Sequence, residues 1–177
     1  LPMFNDSHDF VIRGGAFHNA GRDLNIFQEG ERGLLTLHRY TSTSALYNAE
    51  ARFPPPLCHP GTRIAVLEDL DRWMKSGESH DFKIGWLYGA AGAGKSAIAQ
   101  TFAEACAKNA TLAGTFFFWR SDPSRNNHLQ LFTTVAFEIA HAVPELHDII
   151  NSAVEKNPSV LTSSMETQFD KLILQPW

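Results

Sequence analysis

Gly89-Ala90-Ala91-Gly92-Ala93-Gly94-Lys95-Ser96 is the stretch of this chain whose residue types and spacing carry chemistry by themselves. It fits G-x-x-x-x-G-K-[ST], a loop that wraps a phosphate. Small residues let the backbone close around the anion, and glycine tolerates the left-handed angles such a wrap needs. Amides turned inward then form a nest for anionic oxygens. A helix opening at Lys95 adds the positive end of its dipole. Lys95 is expected to reach the β- and γ-phosphates, and the Ser96 hydroxyl to take a magnesium ion. With Ala97 behind Ser96, the expected contact set runs from Gly89 to Ala97. The predicted ligand is a nucleoside triphosphate, ATP or GTP, with magnesium. A dinucleotide fingerprint fits less well, because a third correctly placed glycine is missing.

Hydrolysis asks for more than a cradle. It needs an acid at the end of a neighbouring strand and a group that orients water. Ala65-Val66-Leu67-Glu68-Asp69 ends in acids but has helical spacing and precedes the loop, so it reads as an exposed helix face. Asp122 follows the aromatic run Phe116–Trp119 and is the remaining candidate, reaching magnesium through water, with Arg120 or Arg125 approaching the γ-phosphate. A solvated polar loop is the competing reading of the same residues. After Asp122 the pattern is helical throughout. The chain is therefore expected to recognise phosphate and to hydrolyse poorly, and whether it is an enzyme stays open. His141 and His147, on either side of Pro144, read as surface or boundary residues, and Cys58-His59 lacks a second pair at zinc spacing.

The elements that must position the loop follow from periodicity. Ile64, Leu67, Leu70, Trp73 and Met74 recur at helical steps, with Thr62 as cap and Gly77 past the end. Residues 82–88 read as a buried strand running into the loop. A helix is expected over Lys95–Lys108, with Ile98, Phe102, Ala105 and Cys106 inward. Thr115–Trp119 reads as a second buried strand, and Leu129–Val143 as a helix. Pro144 opens another helix, which Asn157-Pro158 ends. Ser163 and Glu166 have capping-box spacing for a last helix reaching about Leu174. Strands alternating with helices predict an α/β class, a partial three-layer P-loop NTPase fold with parallel strands. Residues 1–56, rich in Gly, Asn and Ser and closed by Pro54-Pro55-Pro56, are expected to form an irregular extension and linker before a domain over 57–177.

The 177 residues, 44 % apolar with thirteen Phe, suffice for a core. A formal net charge of −4 without a basic cluster excludes a nucleic-acid footprint. The longest apolar run, Phe116–Trp119, falls far short of the roughly 20 residues that cross a bilayer. Two cysteines do not make a disulfide framework and point to a reducing compartment, the cytoplasm. The abrupt ends at Leu1 and Trp177 suggest a fragment.

Pro60-Gly61-Thr62-Arg63, a helix through Trp73, Ile84–Tyr88 leading into GAAGAGKS, and TFFFWRSDPSRN over Thr115–Asn126 together resemble the start of NACHT-type NTPase domains. The resemblance is nearest to those of fungal NOD-like proteins and to the nephrocystin-like N-terminal NTPase module, and covers about Leu57–Trp177. It implies a signalling switch that binds ATP or GTP and self-associates or engages other NOD-like proteins. It also implies that Arg63 lies near the base. The family's acidic Walker B strand, its sensor residues and its repeats have no counterpart here, so the chain would be the part before Walker B. Gly14–Asp23 resembles a short Gly/Asn motif found ahead of such domains in mushroom-type fungi, and reads otherwise as a flexible lead-in. Two other classes compete. A small-molecule kinase would want an Arg-rich lid, yet residues 143–174 contain no Arg. A non-hydrolysing adaptor fragment would use the loop little.

Overall fold

The computed structural model describes residues 31–75 and 84–177. The Gly14–Asp23 motif, the Gly77 stop and the start of the first expected strand lie outside the described residues. Among the described residues six α-helices follow one another: α1 (Arg32–His38), α2 (Ile64–Lys75), α3 (Lys95–Lys108), α4 (Leu131–Ala142), α5 (Pro144–Lys156) and α6 (Met165–Phe169). Short 3₁₀ turns cover Thr43–Ala45, Glu50–Arg52, His128–Gln130 and Pro158–Thr162, and a π-helical turn, Asp170–Leu174, continues α6.

The expected parallel sheet is not there: the described residues are helical and irregular, with no strand. This overturns the α/β, three-layer reading. A strand exists through its ladder partner, and neither candidate segment has one. Ile84, Trp86 and Tyr88 are 90 %, 84 % and 82 % exposed. The second segment makes isolated bonds, Phe117 N–H to the Ala45 carbonyl (2.8 Å) and Trp119 N–H to the Arg125 carbonyl (3.2 Å). Aromatic and β-branched composition signals a liking for pleated surfaces, but it does not supply the neighbouring strand.

The core lies at the other end of the chain. Leu146, Ile150 and Val154 recur every four residues on α5 and form a single buried stripe. They pack with Ala136, Ile139 and Ala140 of α4, Val160, Leu161 and Leu172. Leu34 and Leu37 of α1 complete the cluster, so the segment ahead of the prolines shares this core. The first turn of α1 has no side-chain cap of its own. Asn151 and Glu155 of α5 supply one: Asn151 Oδ1 accepts from Leu34 N–H (3.0 Å) and Glu155 Oε1 from Gly33 N–H (3.3 Å). Otherwise unpaired helix-start amides are thereby satisfied across the interface.

The stretch after α1 works as a strap. Thr133 Oγ1 donates to the Tyr40 carbonyl (2.8 Å) and Ser42 N–H to Thr134 Oγ1 (2.9 Å), which hold the strap to α4. Tyr47 N–H donates to Thr115 Oγ1 (3.0 Å), and Gln100 Nε2 to the Tyr47 carbonyl (2.9 Å). The strap therefore pins α3, the helix that carries the glycine loop. Gln100, 1 % exposed, is buried on α3 beside Ile98, Ala103 and Cys106. The expected inward face, with Phe102 and Ala105, is rotated accordingly: Ala105 is exposed. α2 buries no residue fully and leans on α3 at Met74, whose Sδ lies 3.8 Å from Cys106 Sγ. Ser164, one residue after the expected Ser163, is the N-cap of α6 and accepts from Thr167 N–H. No helix among the described residues is long and apolar enough to cross a membrane.

Candidate functional site: the glycine loop and its two cavities

The loop from Gly89 to Ser96 lies on the surface and joins an irregular segment, rather than a paired strand, to α3. Gly92 and Gly94 have φ of 78° and 84°. A side chain at either would be strained by its backbone alone, although a Cβ there would meet nothing within 4 Å. The open space over both glycines leaves the loop accessible. Gly94 is the N-cap of α3 and offers no side-chain cap to the helix amides. The start of a 14-residue helix therefore presents its positive end on the surface.

Lys95 folds back into this turn. Its Nζ donates to the carbonyls of Gly89 (2.9 Å) and Ala90 (2.8 Å). The ammonium is thus held at the loop by two neutral carbonyl acceptors. Ala91 and Ala93 fill the turn between the glycines, with Ala93 N–H bonded to the Ala90 carbonyl (3.2 Å). Ser96 is exposed at the first turn of α3, and Ala97 behind it is half-buried. Arg63 comes to the same place from the start of α2: one Nη2–H donates to the Ala93 carbonyl (3.1 Å). Cys58 N–H donates to Thr101 Oγ1 (3.0 Å), which ties the lead-in to α3 and delivers Arg63 to the loop.

Asp122 is drawn into its own turn. Oδ1 accepts from the Ser124 amide (2.9 Å) and hydroxyl (2.6 Å), and Oδ2 from Arg125 Nε (2.7 Å). The Ser124 hydroxyl, then Arg125, hold its carboxyl below the usual aspartate value. The carboxylate thus closes a loop and neutralises a buried arginine. Among the described residues no group of three or more His, Cys, Asp or Glu could hold a metal ion. Arg120 is exposed, and Arg125 turns inward.

Ser96 borders two cavities. One, about 600 Å³, lies between α3 and the irregular aromatic segments, with Trp73, Phe102 and Phe116 in its wall. The other, about 460 Å³, is lined by Arg52, Phe117, Trp119 and Arg125. Arg52 carries no local signature, and it lies ahead of the prolines in sequence. The structure places it beside the loop because the strap returns there.

Residues 61–176 match the family model described as nephrocystin 3, N-terminal. The chain belongs to the nephrocystin 3 N-terminal family. Neither a curated protein nor a solved structure matches it. The family match takes in Arg63, the whole glycine loop, Asp122 and Arg125, while α1, the strap and Arg52 precede it. Within this nephrocystin-like chain the family portion and the strap meet at Ser96.

Proposed function

We propose that this nephrocystin-like chain binds a nucleoside triphosphate with magnesium through Gly89–Ser96, as the nucleotide-reading part of a NACHT-like signalling switch. The observation that carries the reading is Lys95 Nζ, 2.9 and 2.8 Å from the Gly89 and Ala90 carbonyls, inside a surface turn with left-handed Gly92 and Gly94. A polyphosphate offers that ammonium anionic acceptors in place of neutral carbonyls, which adds the attraction of opposite charges to each bond. The start of α3 adds its dipole. Ser96 would hold the magnesium ion, whose chemistry is to bridge and neutralise phosphate oxygens. Arg63, already on the Ala93 carbonyl, is positioned to approach the ligand from the α2 side.

Turnover by this chain is expected to be negligible, since Asp122 is committed to Ser124 and Arg125. A cytoplasmic setting, where such nucleotides are abundant, and self-association or contact with related switch proteins belong to the same proposal. Both cysteines are free thiols, which accords with a reducing compartment. Calorimetric titration with magnesium ATP and magnesium GTP tests it. Saturable one-to-one binding of either supports the reading, and no binding of either at millimolar concentration rejects it.

A further inference from the structure

The 460 Å³ cavity beside Ser96 has a composition that a plain structural gap does not call for. Arg125 is 5 % exposed, and although Nε is paired with Asp122, its Nη1 is buried without a partner among the described residues. Buried polar groups in native proteins are almost always satisfied, and an orphaned donor calls for a missing acceptor. A second guanidinium shares the cavity wall. Arg52 lies 3.6 Å above the centroid of the Phe117 ring, held there by donating Nη1–H to the Leu46 carbonyl (3.1 Å). Arg125 sits 5.0 Å from the Trp119 ring centroid.

Two guanidiniums, Arg52 and Arg125, share this place with two carboxylates, Asp122 and Glu104. Asp122 answers Arg125, and Glu104 acts on Arg52 from α3, but burial and the nearby Arg125 both oppose the charge on Arg52 and outweigh Glu104, so its pKa is lowered. Burial and a like neighbour leave Arg52 under-compensated, and Arg125 keeps an unanswered Nη1, so an oxyanion between the aromatic walls would serve both. Guanidinium forks match phosphate oxygens in pairs, which an ammonium cannot do.

We propose that Arg52 and Arg125 bind the terminal phosphate of a nucleoside triphosphate seated in the Gly89–Ser96 loop, so that the chain distinguishes triphosphate from diphosphate. The inference rests on the nucleotide reading above and deepens it. On this proposal a diphosphate lacks the phosphate that the pair takes, and Arg125 Nη1 stays unanswered. A triphosphate joins the strap to α3 through its last phosphate, which makes the strap before the family segment the part that senses nucleotide state.

The test compares dissociation constants for the triphosphate and diphosphate of whichever base binds, with magnesium, in the wild-type chain and in Arg52→Gln. The wild type should favour triphosphate by about tenfold or more, the worth of one charge-assisted bidentate contact. Arg52→Gln should lose about that factor for triphosphate and leave diphosphate affinity within about twofold. Equal wild-type affinity for the two nucleotides overturns the clamp while leaving the loop assignment standing, and needs no variant to fold. Equal loss of both nucleotides in a variant with an unchanged melting transition overturns it as well. If the wild type binds neither, the nucleotide reading falls and the clamp with it.

Discussion

Gly33 lies so close to Asn151 that a Cβ on Gly33 would sit 2.0 Å from the Asn151 carbonyl oxygen. The contact lets α1 rest directly on α5, and it explains how Asn151 reaches the Leu34 amide. Since the listener to this contact is backbone, no side-chain rotation can relieve a clash there. Gly33→Ala should force α1 away from α5 and cost about 1–3 kcal/mol, the range for overpacking. Thermal unfolding should move down by at least about 2 °C. An unchanged transition would show that α1 does not dock on α5 in solution.

Lys95→Ala separates binding from stability. The ammonium's acceptors are surface carbonyls of its own loop, and surface substitutions of this kind usually change stability by less than about 0.5 kcal/mol. Triphosphate affinity should nevertheless fall by about 10-fold to 150-fold, since hydrogen bonds to charged groups are worth about 1.5–3 kcal/mol. Calorimetry and a melting curve on the same sample check both halves. Affinity equal to wild type would remove Lys95 from the site.

Asp122→Asn should unfold earlier than wild type near neutrality, because it strips the buried Arg125 of its counter-charge. The pH dependence carries the sign. The Asp122 carboxyl is held below its ordinary value by the Ser124 hydroxyl and Arg125. Its contribution is therefore complete above the ordinary aspartate value and is lost as pH falls through the lowered one. Melting temperatures of the two proteins should converge at strongly acid pH. A gap that stays constant from neutral to acid would assign the difference to shape rather than charge.

Glu138→Gln should act in the opposite sense. Burial raises the Glu138 carboxyl above its ordinary value, with His141 offsetting part of this. The folded chain thus holds this proton more tightly than the unfolded one, and wild-type stability falls as pH rises from the ordinary glutamate value through the raised one. The glutamine variant escapes that loss and should melt higher than wild type at neutral pH, with the two curves meeting in acid. A variant less stable at neutral pH would mean that the ionised carboxylate has a partner worth more than its burial costs.

The helix limits show where local chemistry suffices. Pro144 opens α5 and Asn157-Pro158 closes it, and α3 begins at Lys95 after a left-handed Gly94, because proline's missing N–H and glycine's missing Cβ act on the nearest backbone. The sheet could not be read in this way. Ile84–Tyr88 and Thr115–Trp119 have the composition of buried strands, yet strand pairing depends on a second segment arriving alongside, and none does among the described residues. The inward face of α3 departs from the apolar periodicity for a related reason: buried Gln100 donates to the Tyr47 carbonyl, a polar anchor that apolar periodicity does not count.

The glycine loop could be recognised from its eight letters, since tolerance of left-handed angles and a cation at the next position are properties of the residues themselves. The arginine pair could not. Arg52 and Arg125 share a cavity wall because the strap from α1 crosses α4, bonds to Thr115 and Gln100, and comes back beside Ser96. That path is set by contacts between residues far apart along the chain, and such contacts come into being when the helices pack.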